Sequence, residues 1–214
     1  MRYLIFDTET TGLPEYDKQG IKSYPYIVQL SWVLYNDEIN DIESEKDKII
    51  LLPEGMTIPE ETVAIHGINT EKMRAEGIDF KIASKEFVED LSKCDMIIGH
   101  NIDFDKSIMF EEFKRNKCFD YRLSQRPVYC TMTMGKNVCK IERKRKNKSG
   151  EIYYKNPKLL ELHEYLFKEK PNNLHNSLID VLVTCRCFGK LYLNRDILEN
   201  NNQLRDHFNQ LCCL

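Results

Sequence analysis

Apolar residues occur as short unbroken runs early in this chain and as helically spaced sets further along. Tyr3, Leu4, Ile5 and Phe6 make the first run, so strands are expected over residues 3–7 and 27–35, and a third near 49–52. The second and third are expected to join around residues 36–40. Ile82, Phe87, Val88 and Leu91 predict a helix over 82–91, and Met96, Ile97 and Ile98 a short buried strand. Ile108, Met109 and Phe113 then predict an amphipathic helix over 105–113. A strand over 128–131, a helix over 159–167 and a long helix running on from Leu178 to Tyr192 follow, while 200–202 reads as a loop near a frayed C-terminus. Strands first, then helices and strands in alternation, indicate an α/β fold with a mixed sheet. No internal repeat interrupts the pattern.

The chain has 214 residues, enough for one well-buried core and short for two domains. Its net charge of −3 conceals a basic stretch over 140–158, with Lys140, Arg143, Lys144, Arg145, Lys146, Lys148, Lys155 and Lys158 against Glu142 and Glu151. Tyr153 and Tyr154 are interleaved, so an arm that guides a nucleic-acid strand is expected, beside two plainer readings, a solvated loop and a nuclear-import signal. Eight cysteines without a CxxC framework, and no secretory segment ahead of Met1, point to an intracellular reducing compartment, cytoplasm or nucleus. The terminal Cys212, Cys213 and Leu214 do not fit a prenylation box. No apolar stretch is long enough to span a membrane.

Carboxylates interrupt the apolar pattern at the ends of its strands. Residues i and i+2 of a strand share a face, so Asp7 and Glu9 stand side by side at the end of the first run. Two ionised carboxylates so placed need a proton or a cation between them, and oxygen ligands favour Mg²⁺ or Mn²⁺. A solvated acidic turn is the alternative, since Thr8, Thr10, Thr11 and Gly12 are ordinary loop residues. Asp103 and Asp105 lie at a strand-to-helix junction, where either also serves as a helix cap. Asp180 sits among Leu178, Ile179, Val181, Leu182 and Val183, an expensive place for an acid without a partner. His175 falls five residues earlier, in the loop before that helix, with Asn176 and Ser177 as caps.

The segments FDTETTGL (6–13), GHNIDFDKSI (99–108) and LHNSLID (174–180) together resemble the three motifs of the DEDDh superfamily of 3′–5′ exonucleases, the family of the proofreading epsilon subunit of bacterial DNA polymerase III and its stand-alone relatives. AIHGI (64–68), YCTM (129–132) and YYKNPKLLELHEYLF (153–167) extend the resemblance. It implies a ribonuclease-H-like fold, with an exonuclease domain over 1–196 and a C-terminal tail over 197–214. It further implies that Asp7, Glu9, Asp105 and Asp180 bind two divalent cations, that Asp103 is a bystander, and that His175 is the general base. The implied reaction is hydrolysis of the terminal phosphodiester at a 3′ end to release a nucleoside 5′-monophosphate. DNA is the expected substrate, single-stranded 3′ ends favoured, and Thr10 in DTETTGL, which resembles the proofreading relatives more than oligoribonuclease, favours DNA over RNA. A 3′–5′ exoribonuclease and a catalytically silent nucleic-acid-binding module remain as alternatives. Substrate contacts are expected from Thr8, Thr10, His66, Asn101, Arg143, Lys144 and Arg145. Structural roles stand open for His66 beside Gly67, and for Thr8, His100 and Asn101 as hydrogen-bond partners of the site. A polymerase or another replication or repair protein is the partner such a chain would serve.

Overall fold

Residues 3–6 are apolar without alternation because their strand is covered on both faces. In the computed structural model, which describes residues 1–20, 22–144 and 151–212, this strand is β1 (Arg2–Thr10). There follow a small hairpin of β2 (Glu15–Tyr16) and β3 (Lys22–Ser23), then β4 (Ile27–Asn36) and β5 (Asp41–Ile49). Next come α1 (Glu60–His66), α2 (Thr70–Glu76), α3 (Phe80–Lys93), β6 (Met96–Gly99) and α4 (Ile102–Arg115). After α5 (Arg122–Gln125), β7 (Val128–Cys130) and α6 (Thr131–Cys139), a two-stranded ribbon of β8 (Glu142–Lys144) and β9 (Ile152–Tyr154) leads to α7 (Leu159–Phe167), α8 (Ser177–Tyr192) and α9 (Asn202–Cys212).

The main sheet runs β5-β4-β1-β6-β7. β1 pairs antiparallel with β4 and parallel with β6, so the expected mixed sheet is present and β1 lies where the pairing changes. Tyr3 and Ile5 face α8, packing with Val181, Cys185 and Phe188. Leu4 and Phe6 face α3 and α4, packing with Phe87, Leu91, Ile108 and Phe113. Alternation along β1 thus continues past the apolar run with a fixed consequence: Asp7 and Glu9 emerge on the α8 side and Thr8 on the α4 side.

Two expectations are corrected. The third strand covers 41–49, not 49–52, because β5 is an edge strand whose exposed side carries charge in place of an apolar signal. The loop expected over 200–202 holds at 200–201, but the frayed end expected after it gives way to α9, which buries Leu204, Phe208 and Cys212 at helical spacing against the α8 side of the core. That spacing was hidden among polar neighbours. Helices α3, α4, α7 and α8 fall where periodicity placed them, each within a few residues. Cys94, Cys118, Cys130, Cys139, Cys185 and Cys187 carry free thiols, three of them buried, and no helix among the described residues is long and apolar enough to cross a membrane.

Candidate active site

Three chain segments meet at the end of β1. Strand geometry brings Asp7 and Glu9, while α4 and α8 bring Asp105 and Asp180 from their first turns, where the helix dipole favours negative charge. Asp105 Oδ1 accepts hydrogen bonds from the Thr8 backbone N–H at 3.0 Å and the Thr8 hydroxyl at 2.8 Å. Thr8 therefore steadies an acid of the site. Ser177, the first residue of α8, donates its hydroxyl to the Asp7 carbonyl at 2.7 Å and so pins that helix to β1. Asn176 caps α8 by accepting from the Leu178 and Ile179 N–H groups.

The four carboxylates share one electrostatic environment. Burial pushes Asp7 up to about 7. Burial, then Asp7, Asp180 and Asp105, push Glu9 up to about 9. Asp105 and Asp180 are both held well above the ordinary carboxylate range, by burial first and by Asp7 second. Asp7 is thus the common neighbour of the other three. His175 is exposed, with its backbone in the left-handed region at φ 71°, and its N–H reaches Asp180 Oδ2 at 3.4 Å. One ligand atom each from Glu9, His175 and Asp180 lie within 4.8 Å of one another. Asp180 Oδ1 is buried and has no hydrogen-bond partner among the described residues. A buried lone pair without a donor, surrounded by carboxylates that resist ionising, fits a hard divalent cation.

A family model described as Exonuclease, of the RNase T type, matches residues 4–188. The chain belongs to the Exonuclease family. It is of the DEDDh type of 3′–5′ exonuclease. It is 29% identical over 139 residues to the PolC-type DNA polymerase III of Pediococcus pentosaceus, a match covering 63% of this chain and 8% of that polymerase. Its fold resembles E. coli exonuclease I in complex with a 5cy-dT13 oligonucleotide, with a TM-score of 0.64 and 18% identity over 96% of this chain and 42% of that one. It also resembles a moderately thermophilic exonuclease I from Methylocaldum szegediense, with a TM-score of 0.65 and 19% identity over 98% of this chain and 42% of that one. This exonuclease chain therefore spans less than half the length of those relatives.

Within the exonuclease fold the other sequence candidates divide. His66 ends α1, buried, with Nδ1 accepting from the Ile68 N–H at 3.1 Å and Nε2 unpartnered among the described residues. Burial lowers its pKa, and the nearby backbone of Thr10 opposes that shift. The ring therefore supports the turn at Gly67 and also lies beside β1. His100 bridges Thr131 Oγ1 at 3.0 Å and the Pro157 carbonyl at 3.2 Å, and burial lowers its pKa to about 4, so it joins β6 to the root of the β8–β9 ribbon. The Thr10 hydroxyl donates to the Gly12 carbonyl at 2.6 Å, and Asn101 is exposed in a left-handed conformation at φ 72° ahead of α4. Asp103 is exposed, on the opposite side of the turn from the buried Asp105.

Arg143 and Lys144 are exposed on β8, while Lys155 is drawn into an ion pair with Glu161 at the start of α7. Arg145, Lys146 and Lys148 lie outside the described residues. Gln29, which no motif singled out, is a buried polar residue one strand from Glu9. Its one sequence signal is an amide set between Val28 and Leu30 in the largely apolar β4.

Proposed function

We propose that this chain hydrolyses the terminal phosphodiester at the 3′ end of DNA, favouring single-stranded ends, and releases nucleoside 5′-monophosphates. The observation that carries the reading is the convergence of Asp7, Glu9, Asp105 and Asp180 into one cluster with His175 at its rim. Asp7, neighbour to all the others, would be shared between two divalent cations, Mg²⁺ or Mn²⁺, with Glu9 and Asp180 completing one site and Asp105 serving the other. Such ions, when bound, stabilise the attacking and leaving oxygens of an in-line displacement at phosphorus.

The chain's own groups do the rest. A ring nitrogen of His175 takes the proton of the attacking water as the new P–O bond forms, and the bond to the 3′ oxygen of the penultimate nucleotide breaks. Thr8 and Ser177 hold Asp105 and the Asp7 backbone in place. Thr10, His66 and Asn101 flank the end of β1 where a terminal nucleotide would lie, and Arg143 and Lys144 offer positive charge further out. The oligonucleotide bound to E. coli exonuclease I supports single-stranded DNA as substrate, and the likeness to part of a polymerase supports work beside a polymerase or another replication or repair protein.

The decisive assay uses end-labelled single-stranded DNA, duplex DNA and RNA with Mg²⁺, Mn²⁺ or EDTA. Mononucleotide release from the 3′ end, abolished by EDTA and by Asp7→Ala, is the expected result. Cleavage that survives both would overturn the reading, and RNA as the faster substrate would correct its sugar.

A further inference from the structure

Between the acids and the edge of the sheet lies a row of polar side chains that the proposed chemistry does not use. Glu9 stands directly opposite Gln29 on β4, and Asp7 opposite Ser31, which in turn stands opposite Asp47 on β5. Cross-strand partners share a face, so all five lie on the α8 side of the sheet. Gln29 is 2% exposed and Ser31 fully buried, in a strand otherwise dominated by Ile, Val, Leu and Trp. Polar groups so placed are retained against a desolvation penalty and need a reason.

Their hydrogen bonds supply one. Asp47 Oδ1 accepts from Gln29 Nε2 at 2.7 Å and from the Ser31 hydroxyl at 2.7 Å. Gln29 Oε1 accepts from the Ser177 backbone N–H at 3.2 Å, and the Ser177 hydroxyl reaches the Asp7 carbonyl at 2.7 Å. An amide has a donor end and an acceptor end, and a carboxylate can only accept, so Asp47 dictates that the oxygen of Gln29 points to α8. Ser177 is fully buried, and without that oxygen its N–H would lack this partner.

We propose that Gln29, oriented by Asp47, is a positioning residue that sets the start of α8, and with it His175 and Asp180, against Asp7 and Glu9. The inference rests on the site reading above. The relay begins at an edge strand and ends two residues after His175 and three before Asp180.

The test is a Mn²⁺ titration read from the paramagnetic resonance of the free ion, with turnover of end-labelled oligo-dT measured separately. Gln29→Leu keeps the volume and removes both polar ends, and is expected to weaken Mn²⁺ binding about tenfold, the scale of losing a group that orients a ligand. At saturating Mn²⁺ it should lower kcat by a similar factor while leaving KM for the oligonucleotide within about twofold. A role in stability alone would lower the melting temperature and leave Mn²⁺ affinity unchanged, which would overturn the proposal. Asp47→Asn, exposed at the sheet edge, lets the amide turn and should cost Mn²⁺ affinity about threefold; this variant decides if Gln29→Leu does not fold. Because Asp47 acts through Gln29, the double variant should bind no more weakly than Gln29→Leu alone, and additive losses would sink the relay. A wild-type protein that binds Mn²⁺ yet cuts no strand ends the exonuclease reading and leaves this one standing.

Discussion

Asp105 and Asp180 hold the same local position, the fourth residue of a helix, yet the molecule treats them differently. Asp105 arrives with one oxygen already taken by two donors from Thr8. Asp180 has a single long contact, from the His175 N–H at 3.4 Å, and one oxygen with no partner among the described residues. The cause is the alternation of β1, which turns the hydroxyl of Thr8 toward α4 and the carboxylates of Asp7 and Glu9 toward α8. One acid is preset by the fold. The other is left to be satisfied by what binds.

That contrast orders the expected effects of substitution. Of the two aspartates Asp180 should be the more sensitive, Asp180→Asn lowering kcat by about 10³-fold, the scale of losing a principal electrostatic contact to the transition state. His175→Ala should follow at roughly 10²-fold or more, with an unchanged melting curve because the ring is exposed. Asp105→Asn keeps a carbonyl oxygen for Thr8 to bond and should lose less than Asp180→Asn. Single-turnover kinetics on oligo-dT would check the order, and a reversed ranking of the two aspartates would break the comparison. Thr8→Val removes the hydroxyl from Asp105 and leaves the backbone donor, so Mn²⁺ affinity should fall by about 10- to 100-fold.

Stability should show the same division through pH. The raised carboxylates bind protons more tightly folded than unfolded, so they favour folding below the ordinary value near 4, and that contribution is lost as pH rises through about 7 for Asp7 and about 9 for Glu9. Ion-free protein should therefore melt progressively lower as pH climbs through that window. Added Mg²⁺ should raise the melting temperature more at high pH than at low. Asp7→Asn removes the shared neighbour and should raise the ion-free melting temperature by several degrees in mildly alkaline buffer, since about 1 kcal/mol moves it roughly 2–4 °C in a chain of this size. A melting temperature independent of pH in EDTA would show that the acids do not crowd one another.

Much of this was legible in the sequence. The run at residues 3–6, the i, i+2 spacing of Asp7 and Glu9, and the apolar surroundings of Asp180 placed three acids on a strand end and a helix start before any coordinates. What stayed hidden was set by partners distant in sequence. β5 and α9 carry weak apolar patterns because one is an edge strand and the other shows a single buried stripe. His100 is expected from its motif only as a hydrogen-bond partner of the site, and the partner it finds, the Pro157 carbonyl, lies 57 positions away. Gln29 became visible only once strand register set it opposite Glu9 and α8 was packed above.

The smallest expected effect is at Asp103, which shares the first turn of α4 with Asp105 but points to solvent. Its carbonyl accepts from the Ser107 hydroxyl at 2.7 Å, a bond that involves the backbone and survives any side-chain change. Asp103→Ala should therefore remove only a charge near the helix N-terminus, worth about 0.3–1 kcal/mol in stability, and leave kcat within about twofold. Thermal melts paired with oligo-dT turnover measure both quantities on one preparation. A loss of activity as deep as that of Asp105→Asn would mean that the side chain turned away from β1, and not the one bonded to Thr8, is the acid that α4 contributes.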